Sequence, residues 1–143
     1  MSSLYGFIRY NKRKKMTLAV YALTAFYRLI ILIVPSKFQQ RFWGKSGEES
    51  QMSESKSNYY YARIVSKYVN VIADRTPWES KCLVRALTAR KLLVRKKISC
   101  TLYLGVGKDE NGTMIAHSWL RCGEYYVTGG NGKDYAMVAK FAS

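Results

Sequence analysis

Histidine is almost missing from this chain. Its 143 residues hold one, His117. The three cysteines, Cys82, Cys100 and Cys122, form no Cys-x-x-Cys pair. The usual zinc ligand sets are therefore not available, and no metal is expected. No glycine-rich phosphate loop of the nucleotide-binding types is present, so no cofactor is expected and any ATP requirement would fall to a partner. A secretory pattern is also missing: the apolar run begins only at Met16 and has no small-residue cleavage site. Free thiols in a reducing, cytoplasmic setting are the expectation. Acids are scarce as well. Residues 1–45 contain Arg9, Lys12, Arg13, Lys14, Lys15, Arg28, Lys37, Arg41 and Lys45 and no Asp or Glu.

The whole chain carries 24 Lys+Arg against 9 Asp+Glu, a formal charge of +15. That balance suits an anionic partner: acidic protein, membrane surface or nucleic acid. Nucleic acid is the least expected of these. Tyr59, Tyr60 and Tyr61 crowd one turn and read as packing rather than as a base-stacking platform. At 48% hydrophobic residues the chain can build a core for one compact domain plus an appendage.

Residues 10–45 read as a basic apolar helix with its core at Met16 to Val34 and Pro35 as its stop. The apolar length approaches that of a bilayer span, but Arg28 lies within it, at a cost of a few kcal/mol (~3) on insertion scales. Docking on the rest of the protein, lying on a membrane surface and spanning a membrane remain alternatives. Gly44 to Asn58 has linker composition, which divides the chain into a helical segment 1–45, a linker 46–57 and a domain 58–143. Within the domain, Ile64, Val65, Tyr68, Val71 and Ile72 mark the apolar face of a helix over 58–74, ended by Thr76-Pro77. Ser80 is the expected N-cap of the next helix, to about Lys96, with Leu83, Ala86, Leu87 and Leu93 buried. Strands follow at 99–106, 113–122 and 125–128, the first two joined by a turn ending in Asn111-Gly112, with a last apolar piece at 135–141. Helices first and an antiparallel meander afterwards make an α+β layout.

Cys82 would then sit at the second position of a helix. There the unpaired backbone N–H groups and the positive dipole end favour a thiolate and can receive an oxyanion. Strand alternation puts Ile115, His117, Trp119 and Arg121 on one face, and Trp119 is placed to wall one side of the imidazole. A thiol at a helix start followed by an imidazole on a strand is the order many thiol hydrolases use. Cys100 and Cys122 lie in strand contexts and read as core thiols.

The stretch 77–87, with Leu92-Leu93-Val94-Arg95-Lys96-Lys97-Ile98, Leu104-Gly105-Val106 and His117-Ser118-Trp119-Leu120, resembles the transglutaminase-like cysteine proteases of lasso-peptide biosynthesis. These are the B proteins that remove the leader from the precursor. The resemblance covers about Trp78 to Phe141 and is carried by the joint pattern. It implies a transglutaminase/papain-like fold, with Cys82 at a helix N-terminus packed on a small antiparallel sheet. Cys82 would be the nucleophile and His117 the general base and acid. Residues 1–57 lack the three-strand pattern of a winged-helix-like leader-binding module, so the chain resembles the separate protease half. Its implied partners are the precursor peptide, a separate leader-binding protein and a lasso cyclase. One departure stands out: the family's third residue is an acid on the strand after the histidine strand, and pairing about Gly123 puts Gly129 at that place. Asp134 is the favoured substitute orienter, with Asn131 or a backbone carbonyl as alternatives. A basic adaptor with structural Cys and His, and an acyltransferase on the same residues, are the rival functions.

Overall fold

The computed structural model describes residues 2–77 and 81–143, with side chains from Arg13 onward apart from Ser36. Helix α1 spans Ser2–Ile33. It ends there, rather than running to residue 45, because the residue before Pro35 is forced out of helical geometry. The chain bends into a short helix, α2 (Ser36–Gln39), and a 3-10 turn at Gln40–Phe42. The Gln39 side-chain amide donates to the carbonyls of Val34 (2.7 Å) and Ile31 (3.3 Å), so it satisfies groups left open at the end of α1.

Helix α3 covers Lys56–Ala73, with the Ser55 hydroxyl accepting from the Asn58 N–H as its cap. Its buried residues are Ala62, Val65, Val69, Ile72 and Ala73, while Val71 is exposed. The inward face is thus turned from the expected one, toward small Ala62, because α3 packs on α1, α4 and the sheet at once. Helix α4 runs Cys82–Arg95 and buries Val84, Ala86, Leu87, Ala89, Leu92 and Leu93. It closes in a Schellman turn: Lys97 takes φ 60°, its N–H donates to the Val94 carbonyl, and Ile98 N–H donates to Leu93.

Five strands form one antiparallel sheet: β1 (Lys45–Ser46), β2 (Thr101–Lys108), β3 (Met114–Cys122), β4 (Tyr125–Thr128) and β5 (Ala136–Ala142). The spatial order is β1-β5-β2-β3-β4. β2, β3 and β4 make the expected meander. β5 does not extend it; it returns across the sheet to pair with the free edge of β2, Leu102 opposite Phe141. Leu102, Leu120 and Cys122 pack into one apolar core with α1, α3 and α4, joined by Cys100 and Phe141. The architecture is α+β with a small antiparallel sheet, as expected.

The 46–57 stretch, apolar-poor as a linker would be, is bonded to the sheet. Ser50 N–H donates to Thr101 Oγ1 at 2.8 Å, and the Ser50 and Gln51 carbonyls both accept from Arg121. Arg121 is 2% exposed, yet its guanidinium is fully engaged. Nε donates to Tyr103 Oη (3.0 Å), Nη1 to Gly123 O (2.7 Å), and Glu49 lies 3.6 Å from Nη2. A buried charge is tolerated only under such pairing.

Candidate active site

Lys81, with φ −78° and ψ −176°, is the half-in residue before α4, and its carbonyl accepts from Arg85 N–H at 3.0 Å. Cys82 is therefore the first helical residue, not the second, and Lys81 makes no side-chain cap bond. Ser80, expected as the cap, lies outside the described residues. Cys82 opens α4. Cys82 is a half-buried free thiol. At such a position helix geometry leaves N–H groups without intrahelical acceptors and directs the positive dipole end outward.

His117 projects from β3 on the face shared with Trp119 and Arg121. Its ring stacks on Tyr135 (centroids 4.4 Å apart, 24° between planes) and more distantly on Trp119 (5.9 Å, 23°). Trp119 stacks in turn on Tyr103 at 5.5 Å. Gly105, directly opposite His117 on β2, makes room for this column: a Cβ there would sit 2.8 Å from the Trp119 ring. Trp119 walls the imidazole as the alternation implied. Tyr135 is the nearer wall, and the sequence alone did not single it out; glycine at 107, where a Cβ would sit 2.8 Å from the Tyr135 ring, was the available signal.

His117 Nε2 lies 2.7 Å from the Gly129 carbonyl. A carbonyl only accepts, so Nε2 carries the proton and the neutral ring keeps its lone pair on Nδ1. Gly129 is thus the residue that orients His117, through its backbone. It has φ +76°, and a Cβ there would meet the Ser118 carbonyl at 2.4 Å. An acidic side chain does not fit this backbone. The pairing that put Gly129 opposite His117 assumed an unbroken ladder. The register of β3 and β4 shifts between Leu120 and Arg121, so Leu120 faces Thr128 and Gly129 abuts Ser118 and Trp119.

Neither substitute orienter is hydrogen-bonded to the imidazole. Asn131 Oδ1 accepts from the Lys133 N–H at 3.0 Å, a local turn bond. Asp134 precedes β5 and lines an open cleft with Lys108, Asp109, Glu110, Asn111 and Tyr135. It makes no hydrogen bond to His117. Cys82 and His117 are not joined by a hydrogen bond either. α4 packs on the face of Leu102, Leu104 and Leu120, and His117 leaves the sheet from the opposite face. Cys100 and Cys122 are core thiols, 1% and 0% exposed, and burial pushes them up to about 11 and about 12. Among the described residues no three His, Cys, Asp or Glu side chains are grouped to hold a metal ion.

No curated protein and no solved structure matches the chain. A family model does, across most of its length. It reaches from the last turn of α1 through Cys82 and His117 into β5, residues 31–141, and so the chain belongs to the transglutaminase-like superfamily.

Proposed function

We propose that the chain is a cysteine peptidase that removes the leader from a ribosomally made lasso-peptide precursor. The observation that carries this reading is the state of the chain's only imidazole: Nε2 is committed to the Gly129 carbonyl, leaving Nδ1 as a base, while a free thiol opens α4. Nδ1 takes the Cys82 proton, Sγ attacks the scissile carbonyl, and N–H groups at the α4 start hold the oxyanion. The imidazolium then protonates the departing amine, and water releases the acyl-enzyme and restores the thiol. Cys82 on α4 and His117 on β3 lie in different layers of the free chain, so the proposed proton transfer requires the complex with precursor and a separate leader-binding protein to bring them together. A lasso cyclase would take the freed core peptide. The strong positive charge favours an acidic leader or an acidic leader-binding partner, with faster association at low salt.

The test is leader cleavage by the purified chain with and without that partner. Cleavage that needs the partner and vanishes in Cys82→Ala is expected; cleavage retained in Cys82→Ala overturns the assignment. An acyltransferase on the same residues would add an amine to the product in place of water, which product mass distinguishes. The second reading, a basic adaptor with structural Cys and His, is favoured by one observation: α4, which Cys82 opens, packs on the sheet face opposite to the one that carries His117. Alkylation separates the two. A peptidase shows Cys82 labelling by iodoacetamide that rises with partner and falls in His117→Ala; an adaptor shows neither change.

A further inference from the structure

Helix α1 from Arg13 to Ile33 has mean hydropathy 1.9 and is long and apolar enough, by length and composition, to cross a membrane. Its two sides have different fates. Val20, Thr24 and Tyr27, spaced four and three residues apart, are at most 3% exposed and sit against α3 and α4. On the opposite side Leu18, Ala22, Phe26, Leu29 and Ile33 form a second stripe at helical spacing. There Leu18 is 60% exposed, Leu29 52% and Ile33 66%. A helix that faces only water carries polar residues on such a side. Beyond the Pro35 bend the stripe continues to exposed Phe38, with Lys37 Nζ 5.1 Å and the Arg41 guanidinium 6.0 Å from its ring centre. Exposed Arg13, Lys14 and Lys15 stand at the other end.

We propose that this outer face of α1, continued by Phe38, lies in the interface of an anionic membrane, with the helix parallel to the surface. Three observations choose this occupant. The inner stripe holds the helix lengthwise on the body of the protein, so spanning would strip Val20, Thr24 and Tyr27 from the core. The apolar stripe is bracketed by bases at both ends, the arrangement that pairs acyl-chain contact with anionic headgroups. No acid occurs before Glu48, so a second copy seated on the same face would bring like charges together.

The full chain is tested by co-sedimentation with phosphatidylglycerol–phosphatidylcholine vesicles against phosphatidylcholine alone. Binding to the anionic vesicles, released by high salt, is expected. Phe26→Asp with Leu29→Asp should weaken it at least about tenfold, with helicity by circular dichroism unchanged. Lys14→Gln with Lys15→Gln, which leaves the apolar stripe intact, should weaken it less and reduce its salt dependence; this pair decides the matter if the aspartates unfold the protein. Equal binding to neutral vesicles, or binding that resists both salt and alkaline extraction, overturns the proposal in favour of a span. A dimer by light scattering with no vesicle binding overturns it in favour of a second copy.

Discussion

On one face of the sheet Leu102 and Leu120, with the partly buried Leu104 beside them, meet helices α1, α3 and α4 in an apolar core. On the other face, one residue away along the same strands, Tyr103, His117, Trp119 and Arg121 build a column of stacked rings and a saturated guanidinium. The first face needs volume and shape, which many apolar residues supply. The second needs particular atoms: a carbonyl for Nε2, and carbonyls and hydroxyls for Arg121. Adjacent positions on one strand therefore differ in what a substitution removes. Leu120 gives up transfer and packing energy; Arg121 gives up the donor to the buried Gly123 carbonyl and to the part-buried Ser50 and Gln51 carbonyls.

The largest expected effect breaks the polar face. Arg121→Met keeps bulk but orphans the Ser50, Gln51 and Gly123 carbonyls, and should cost about 4 kcal/mol in denaturant unfolding. Residues 46–57 should become open to proteolysis under native conditions. Leu120→Ala should cost about 3 kcal/mol and leave that segment protected, so the two variants separate the faces by protease sensitivity as well as by size. Gly129→Ala places a Cβ against the Ser118 carbonyl at a positive φ; a loss of about 2 kcal/mol is expected. Nitrogen NMR of His117 should show the Nε2–H tautomer lost in that variant and kept in Leu120→Ala.

The smallest effect concerns the thiols of the apolar core. Burial raises Cys100 and Cys122 to about 11 and about 12, above the ordinary thiol value of about 8.5. A raised folded-state value means the unfolded chain loses its protons first. Their contribution is complete below about pH 8 and declines as pH rises through the window toward 11. Unfolding measured from pH 7 to 10 should show a downward slope that Cys100→Ala reduces. In the native state at neutral pH, iodoacetamide should label Cys82 ahead of both.

Much of this arrangement was legible in the sequence, and the exceptions have physical causes. Period-two alternation placed His117, Trp119 and Arg121 on one face, and local turn signals located β3 and β4. The bulge between Leu120 and Arg121 leaves no local trace, so the cross-strand register opposite His117 does not follow from the turn alone. β5 could be found as an apolar piece but not positioned, because its pairing with β2 is non-local. The orienting group is a main-chain carbonyl, which no side-chain pattern encodes. The role of 46–57 was hidden for a related reason: it binds through its backbone to a residue about 70 positions away.

That last connection has a consequence for the order in which the molecule assembles. The β3–β4 hairpin is local and supplies the Gly123 carbonyl, but two further acceptors of its guanidinium come from a segment made much earlier in synthesis, which lies across the sheet. Loop closure over such a distance is entropically slow relative to hairpin formation. In an isolated hairpin that guanidinium is held by water; burying it exchanges the water for the Ser50 and Gln51 carbonyls. The imidazole-bearing face is thus completed by groups from the N-terminal half of the chain.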